Sequence, residues 1–346
     1  MSASTLRVAL AQTEPRNAPP GKRIAAKDID GDTPFPTIDY NLQDALRQVE
    51  QAVKEKAELV VFPEYFLQGI ANEGRQYLTI ASDHLITHLS SLAAHHSICI
   101  AGTVVHGVLP AGSAPPPISN PFAHLPLSST QRVSDREGEK VQYQEWARYL
   151  ESYSEAKAED EPELKNTAFF INEKGELIGE YIKKNLWHPE REYLTAGDED
   201  HAVFETKWGK VGMLICWDMS HPAATHTIAD LGADIIICPT YWLSTDSEPM
   251  LSNHPHEARY EFSVVSSLCF ARSFEAELVW IMCNAGGNAS EGFMGGSAVW
   301  APLQGRVGGF DDETTGVKVI DVDIKVLKDA RDTYKIREDW ARVNAS

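Results

Sequence analysis

Three predicted strands each end in a residue that could take part in covalent chemistry. Glu64 follows the run Leu-Val-Val-Phe-Pro, Lys183 follows Gly-Glu-Tyr-Ile, and Cys216 follows Gly-Met-Leu-Ile. Strand ends in an α/β sheet often meet at one edge, and ligands bind at that edge. A base, a cation and a thiol brought together there would suffice for acyl transfer. The base takes the thiol proton, the thiolate attacks carbon, and the cation stabilises the developing negative charge.

Each of these residues also has an ordinary structural explanation. Cys216 could be a buried apolar cysteine, Lys183 a solvated lysine beside Lys184, and Glu64 a cap for the segment that follows it. The segment after Cys216 becomes helical in pattern, and the N–H dipoles of a first helical turn favour a thiolate over a thiol. The catalytic interpretation therefore depends on all three residues occurring in matching local contexts.

The elements that must position these residues alternate between strand and helix patterns. Short apolar runs predict strands and apolar residues at helical spacing predict helices, with a hairpin turn near 173–176. Strands are predicted at 6–12, 57–63, 98–105, 167–172, 177–183, 203–204, 210–216, 233–239, 278–283, 295–300 and 317–323, and helices at 41–56, 75–95, 142–155, 223–231, 257–275 and 325–334. This order indicates one α/β domain with mixed sheets covered by helices. Two packed sheets between helix layers and a single doubly wound sheet both fit the pattern.

Two stretches interrupt the alternation. Residues 14–36 are rich in Pro, Gly and Asp and are predicted to form a loop. Residues 107–165 combine a Pro-rich part, a short helix and an acidic run, and strand patterns resume after them. We interpret 107–165 as a surface insertion within a domain spanning 5–335, with 336–346 as a C-terminal tail. Long insertions of this kind often form active-site lids or binding loops.

Composition excludes several classes of protein. The chain has 346 residues, 43% of them hydrophobic, and a formal net charge of −19, which argues against nucleic acid and anionic membranes as partners. No apolar run is long enough to span a bilayer, and the N-terminus does not resemble a signal peptide. The five cysteines are widely spaced and lack a CxxC pair, which indicates a reduced protein of the cytoplasm.

The sequence resembles the nitrilase, or carbon–nitrogen hydrolase, superfamily over about residues 5 to 335. Any one of its motifs is weak, but their order and spacing together are specific. They are the residues 59–65 (LVVFPEY), 166–168 (NTA), 179–186 (GEYIKKNL), 212–218 (GMLICWD), 232–239 (GADIIICP), 271–275 (ARSFE), 284–287 (NAGG) and 295–297 (GGS). The resemblance implies an α-β-β-α sandwich that pairs into dimers or higher homo-oligomers, with no metal or organic cofactor.

The resemblance also implies a Glu-Lys-Cys triad, which falls on Glu64, Lys183 and Cys216. In the implied mechanism, Glu64 deprotonates Cys216, and the thiolate attacks an amide or nitrile carbon of a small-molecule substrate. Lys183 and the N–H of Trp217 hold the developing charge, and a thioester forms when ammonia or an amine leaves. Glu64 then activates the water that releases a carboxylic acid. The family's Tyr-x-Lys-x-x-Leu pattern selects Lys183 over Lys184.

Further residues are predicted near the site. Many members carry a second glutamate that helps to position the substrate, and Glu190 takes that place, although Ala196 stands where a proline is usual. The aromatic residues Trp187, Tyr193, Tyr241, Trp242 and Phe293 are candidates to line the pocket mouth, with core or interface packing as the alternative. His106 ends a strand and could face the same edge, although a lone histidine is more often structural.

The resemblance leaves the reaction open between two substrates. Amide hydrolysis is the leading hypothesis, because Asp218 stands where nitrilases usually have a glutamate. A nitrilase that converts a nitrile to an acid and ammonia is the alternative, since both use the same catalytic residues. A third alternative is a catalytically weak or inactive binding protein on the same fold, in which the 107–165 insertion occludes the site.

Overall fold

The computed structural model describes residues 4–21, 33–131, 137–154 and 162–344, so parts of the predicted loop at 14–36 and the acidic run after residue 154 lie outside the described residues. The strands are β1 (Thr5–Gln12), β2 (Leu59–Val61), β3 (Cys99–Val108), β4 (Glu163–Ile171), β5 (Leu177–Ile182), β6 (Val203–Thr206), β7 (Gly209–Met213), β8 (Ile235–Thr240), β9 (Val279–Asn284), β10 (Ala298–Ala301), β11 (Gly305–Gly309) and β12 (Gly316–Asp323). The helices are α1 (Pro36–Lys54), α2 (Ser82–His96), α3 (Glu137–Ser154), α4 (Pro222–Asp230), α5 (Tyr260–Glu275), α6 (Val326–Tyr334) and α7 (Ile336–Asn344). No helix among these residues is long and apolar enough to cross a membrane.

The strands form two mixed six-stranded sheets, so the prediction of two packed sheets is confirmed and the single doubly wound sheet is wrong. The first sheet has the order β12-β1-β2-β3-β4-β5 and the second β11-β10-β9-β8-β7-β6. The first pairs β1, β2 and β3 in parallel, and the second pairs β7, β8 and β9 in parallel. The outer strands are added by antiparallel pairs such as the predicted hairpin of β4 and β5.

Side-chain alternation along the strands explains the layered architecture. Val8 and Leu10 of β1 belong to the apolar cluster shared with the second sheet, whereas Ala9 and Ala11 belong to the cluster shared with α1 and α2. Successive side chains of a strand point to opposite faces, so one sheet contacts its partner sheet on one side and helices on the other. The result is an α-β-β-α sandwich.

Two elements were not predicted. The strand β11 has the sequence Gly-Arg-Val-Gly-Gly, and glycine is unfavourable inside strands, which concealed it. Residues 336–344, predicted to be a tail, form the amphipathic helix α7, and its Trp340 ring lies 3.9 Å from the ring of His226 on α4. Its first backbone N–H groups, from Ile336 and Arg337, donate to the buried Glu277 carboxylate.

The segment predicted as an insertion leaves the first sheet at the end of β3 and returns to the neighbouring strand β4. Its described part packs on the helix layer of that sheet. Trp146 of α3 is fully buried, with its ring 5.5 Å from that of Phe35, and His124 Nε2 lies 2.6 Å from Asp39 Oδ2 at the start of α1. These contacts attach the described part of 107–165 to α1 and α2.

Candidate active site

The residue Glu64 lies three positions beyond the short parallel strand β2, which ends at Val61. Its backbone N–H donates to the Thr240 carbonyl at the end of β8, which joins the two sheets at this point. The side chain is 1% exposed. One carboxylate oxygen accepts from Asn166 Nδ2 at 2.7 Å, and the other accepts from the Tyr241 N–H at 3.1 Å. Both oxygens of Glu64 are therefore held by the protein.

The ammonium of Lys183 lies between two buried carboxylates. Lys183 follows β5, and its Nζ donates to Glu64 Oε1 at 2.8 Å and to Glu190 Oε1 at 2.7 Å. Glu190 stands in a single 3₁₀ turn, Pro189–Glu192, and also accepts from the Tyr65 hydroxyl at 2.6 Å and from the Trp187 N–H at 2.8 Å. The structure thus brings together Glu64, Lys183 and the predicted second glutamate.

The nucleophile candidate Cys216 occupies a strained turn after β7. Its φ is 47°, in the left-handed region that residues with a Cβ seldom adopt, and strain of this kind clusters at functional sites. Strand β7 ends at Met213, earlier than predicted, and Cys216 begins a 3₁₀ turn that ends at Ser220. Cys216 is 6% exposed, and its thiol lies close enough to the Glu64 carboxylate to lower the pKa of Glu64, against the larger raising effect of burial.

The carboxylate of Asp218 fixes this turn against the loop that follows Lys183. Its Oδ2 accepts from the Ile215 N–H at 3.0 Å and from the Tyr181 hydroxyl at 2.9 Å. Its Oδ1 accepts from Asn185, from the backbone N–H at 2.9 Å and from Nδ2 at 2.8 Å. One fully buried side chain therefore links the strand ends that carry the thiol and the lysine.

Burial and neighbouring charges set the protonation states of the cluster. Burial raises the pKa of Glu64 to about 7, with Lys183 opposing the shift and Glu190 adding to it. Burial disfavours the ammonium of Lys183, but the charges of Glu64 and Glu190 outweigh it and raise its pKa well above the ordinary value. A carboxylate that titrates near neutral pH beside a permanent ammonium is suited to act as a general base.

The expectation that helix dipoles favour a thiolate at Cys216 is not supported. Burial raises the pKa of Cys216 well above its ordinary value, and the charge of Glu64 raises it further, while Lys183 only partly opposes the shift. The segment after Cys216 is a 3₁₀ turn of five residues, which is too short to supply a strong helix dipole. The resting side chain is a thiol, and a base must remove its proton.

The predicted aromatic residues form the wall beside the cluster. The rings of Trp187 and Trp217 lie 4.3 Å apart, and those of Trp217 and Trp242 lie 5.2 Å apart. The backbone of Tyr241 contacts Glu64, and its ring meets that of Tyr65 edge to face. The three tryptophans border a cavity of about 210 Å³.

Some residues of the cluster were not assigned a role from the sequence, and one candidate lies outside it. Asn166 and Tyr65 were noted only within motifs. The hairpin register could have identified Asn166, because Thr167 lies opposite Ile182 and Asn166 therefore lies next to Lys183. His106 is 3.7 Å from Asp83 and borders a different cavity, so it is not part of the cluster.

Comparison with known proteins identifies the class. The model of the carbon-nitrogen hydrolase family matches residues 7–115 and 146–332. A protein of Schizosaccharomyces pombe named "Probable nitrilase" is 30% identical over 170 residues, covering 49% of this chain and 57% of the relative. The N-carbamoylputrescine amidase of Solanum lycopersicum is 26% identical over 182 residues, covering 50% of this chain and 60% of the relative. The matches thus span little more than half the length of these relatives.

Solved structures share the fold. A carbon-nitrogen hydrolase from Helicobacter pylori superposes with a TM-score of 0.65 at 17% identity, covering 97% of this chain and 95% of that chain. An amidase from Nesterenkonia sp. gives a TM-score of 0.61 at 18% identity, covering 97% and 96%. The family model matches well over half of the residues of this chain. The chain therefore belongs to the carbon–nitrogen hydrolase family, within the nitrilase superfamily.

Proposed function

We propose that this protein hydrolyses the C–N bond of a small-molecule amide through a thioester on Cys216. The observation that carries the proposal is the position of Lys183 Nζ, 2.8 Å from Glu64 and 2.7 Å from Glu190, with the Cys216 thiol near enough to Glu64 to influence its pKa. This arrangement supplies a base, a nucleophile and a fixed cation within one buried cluster. Those are the groups that acyl transfer requires.

The first half of the reaction forms the thioester. Glu64 takes the proton of the Cys216 thiol as the sulfur attacks the carbonyl carbon. Lys183 and the Trp217 N–H stabilise the negative charge that develops on the substrate oxygen. Glu64 then returns the proton to the leaving nitrogen, the C–N bond breaks, and ammonia or an amine departs. Because the thiol is neutral at rest, thiol deprotonation and attack are coupled.

The second half releases the acid. A water molecule takes the place of the departed amine and gives a proton to Glu64 as its oxygen attacks the thioester carbon. The C–S bond breaks, Cys216 recovers a proton from Glu64, and a carboxylic acid is released. Every proton in the cycle passes through one carboxylate, and a pKa of about 7 allows Glu64 to accept and return protons near neutral pH.

The nitrilase reaction is the second candidate, because the relative from Schizosaccharomyces pombe is named a probable nitrilase. The same groups would act on a C≡N carbon, with Lys183 beside the developing negative nitrogen. The proteins with amidase names among the relatives and structural neighbours favour the amide. The binding-protein alternative requires an occluded thiol, and the described part of 107–165 packs instead on α1 and α2.

The test is ammonia release from a panel of aliphatic amides, aryl amides, carbamoyl compounds and nitriles. We expect turnover of at least one amide class, abolished by Cys216→Ala, with a Cys216 acyl adduct in mass spectra of the quenched enzyme. Cys238→Ala is the matched control, because Cys238 is also buried but lies within β8. Turnover of nitriles alone would favour the alternative, and turnover that survives Cys216→Ala would contradict the mechanism.

We also infer that the chain forms a homodimer, placed in the cytoplasm in keeping with its five free cysteines. The exposed face of α5 supports self-association, since Phe270 is 48% exposed and Phe274 is 37% exposed. Exposed aromatic surface of this kind marks protein interfaces. Light scattering should give twice the mass of one chain. Phe270→Glu should lower the measured mass toward that of the monomer, whereas Leu177→Glu on β5 should leave it unchanged. A wild-type monomer would contradict the inference.

A further inference from the structure

The cavity bordered by Trp217, the residue after Cys216, combines aromatic walls with acidic side chains. We call it the tryptophan cavity and define it by the residues Trp187, Trp217, Trp242, Asp246, Tyr260 and Glu261. At about 210 Å³ it is smaller than the cavities that enclose whole drug-sized ligands. Its volume therefore suits one group of a substrate and not an entire large molecule.

Each tryptophan of the cavity is connected to the catalytic cluster. Trp217 directly follows Cys216, so their Cα atoms are about 3.8 Å apart. The N–H of Trp187 donates to Glu190 at 2.8 Å. Trp242 follows Tyr241, whose N–H donates to Glu64 at 3.1 Å. Each of the three tryptophans therefore lies within one residue of, or hydrogen-bonds directly to, a residue of the cluster, which makes this cavity the candidate site for the part of a substrate beyond its carbonyl.

The two carboxylates of the cavity lack a cation. Glu261 is 6% exposed, and its Oε2 accepts from Trp242 Nε1 at 2.8 Å. Asp246 Oδ2 accepts from the Leu243 N–H at 3.0 Å. Among the described residues, neither carboxylate forms an ion pair with a lysine, arginine or histidine. Burial raises the pKa of Asp246 to about 6; the Leu243 N–H and the charge of Lys183 oppose the shift, and the charges of Glu261 and Glu190 add to it.

The rest of the cluster does not neutralise this charge. Glu64 and Glu190 already share the single ammonium of Lys183. A buried oxygen, Ser247 Oγ, also borders the cavity and has no hydrogen-bond partner among the described residues. Carboxylates without an ion-pair partner, an unpaired hydroxyl and tryptophan rings together suit a positively charged group, since cations are attracted to carboxylates and to such rings.

We propose that the tryptophan cavity binds an ammonium or guanidinium group of the substrate, so that the preferred substrates are amides bearing a positive charge a few bonds from the carbonyl. Asp246 and Glu261 would pair with the charge, and the rings of Trp217 and Trp242 would cover its alkyl chain. This inference rests on the proposed amide hydrolysis and assigns its substrate class.

The first test compares substrates matched in size. We expect kcat/KM for 4-aminobutanamide, which is cationic, to exceed that for the neutral pentanamide by about tenfold or more. Succinamate, which is anionic, should be the poorest of the three. Equal values for the cationic and neutral amides would overturn this inference while leaving the proposed amidase function intact. Hydrolysis of no amide in the panel would instead count against the proposed function.

The second test removes one charge at a time. In Asp246→Asn and in Glu261→Gln, the ratio of kcat/KM for the cationic amide to that for the neutral amide should fall about tenfold. Glu257→Gln is the matched control, because Glu257 is exposed just before α5 and does not border the cavity, and it should leave the ratio unchanged. An unchanged ratio in Asp246→Asn would overturn the proposal even if Glu261→Gln fails to fold.

The third test does not depend on turnover. Butylammonium, added to the intact protein, should change the fluorescence of the cavity tryptophans in a saturable way and should compete with haloacetamide for Cys216. Both effects should weaken at least about tenfold in Asp246→Asn, whereas Glu257→Gln should behave as wild type. Absence of saturable butylammonium binding to the wild-type protein would overturn the cationic site.

Discussion

At the scale of single residues, the site must stabilise charged side chains that are buried away from water. Glu64 and Lys183 are each 1% exposed, and an ion removed from water is stable only when partners replace the lost hydration. Lys183 is held by two carboxylates, and Glu64 by Lys183, Asn166 and the Tyr241 N–H. This complete pairing explains why a lysine can remain charged inside the protein.

Replacement of Lys183 should therefore damage both catalysis and stability. In Lys183→Met, Glu64 and Glu190 lose their shared cation, and we expect amide turnover to fall at least about 1000-fold. We expect the free energy of unfolding at pH 8 to fall by about 3 kcal/mol. The folded-state pKa of Glu64, already raised, rises further without Lys183, so protonation favours the folded state and the deficit should shrink toward pH 5. Urea unfolding at the two pH values measures this.

The adjacent lysine provides the control. Lys184 is only partly buried, and its Nζ donates to the Glu199 carbonyl outside the cluster. Lys184→Met should change the free energy of unfolding by less than about 1 kcal/mol, with no dependence on pH. If Lys183→Met lost the same amount of unfolding free energy at both pH values, this would contradict the assignment of Lys183 as the cation that compensates Glu64 and Glu190.

The sequence indicated which residues could form the candidate site, but it did not indicate their protonation states. Glu64, Lys183 and Cys216 were singled out because each follows a recognisable strand, and the resemblance to the nitrilase superfamily indicated Glu190. The protonation state of Cys216 could not be found, because it depends on burial and on Glu64, which is 152 positions away in the chain. For the same reason, Asp246 and Glu261 were not predicted to share a cavity with Trp217.

At the scale of elements, the thiol is positioned by a turn that the sequence alone does not define. The strand run was predicted to continue to Cys216, but pairing in β7 ends at Met213. Asp218 instead fixes the turn. Its carboxylate accepts hydrogen bonds from the segment that carries Cys216 and from the loop that follows Lys183. Strand β7 also packs closely against α4, since a Cβ atom added at Gly212 would lie 2.3 Å from Cγ2 of Ile228.

Substitution of Asp218 tests this role. In Asp218→Asn, an amide N–H₂ would face groups that are themselves donors, including the Ile215 N–H and the Tyr181 hydroxyl. We expect the free energy of unfolding to fall by about 1 to 3 kcal/mol and amide turnover to fall about 100-fold, as the thiol moves relative to Glu64. Denaturant unfolding and kcat/KM are the measurements.

The exposed Asp198, in the loop after Lys183, gives a matched substitution. Asp198→Asn should leave both quantities within about 0.5 kcal/mol and about twofold of the wild-type values. If Asp218→Asn behaved like Asp198→Asn, the turn would have to be held by other contacts, and the assignment to Asp218 would be wrong.

At the scale of the whole molecule, local patterns predicted most elements but not their pairing. The strand β12 joins β1, with Asp323 opposite Thr5, so the two ends of the domain lie side by side in the first sheet. No local signal determines a contact of this sequence separation. The same limit applies to α7, whose partners Glu277, Ala276 and Ala233 lie in other parts of the chain.

Removal of α7 should destabilise the fold. Truncation after Lys335 leaves the buried Glu277 carboxylate without the N–H groups of Ile336 and Arg337, and exposes apolar surface beneath Trp340. We expect the free energy of unfolding to fall by about 2 to 4 kcal/mol. Truncation after Asn344 is the control and should have no effect beyond error. Equal stability of the two truncated chains would show that α7 is a dispensable tail.

The most direct test of the central claim, that Glu64 activates the Cys216 thiol, is the pH dependence of thiol alkylation. Site-specific modification by iodoacetamide can be followed by mass spectrometry from about pH 5 to about pH 9. The four other cysteines are each at most 3% exposed, so their peptides serve as internal standards.

In the wild-type protein, alkylation of Cys216 should rise with an inflection near pH 7, because the base-assisted reaction requires the Glu64 carboxylate, whose pKa is about 7. In Glu64→Gln this inflection should disappear, and the rate should increase only as the thiol itself ionises at higher pH. An inflection near pH 7 that persists in Glu64→Gln, or its absence from the wild-type protein, would contradict the account.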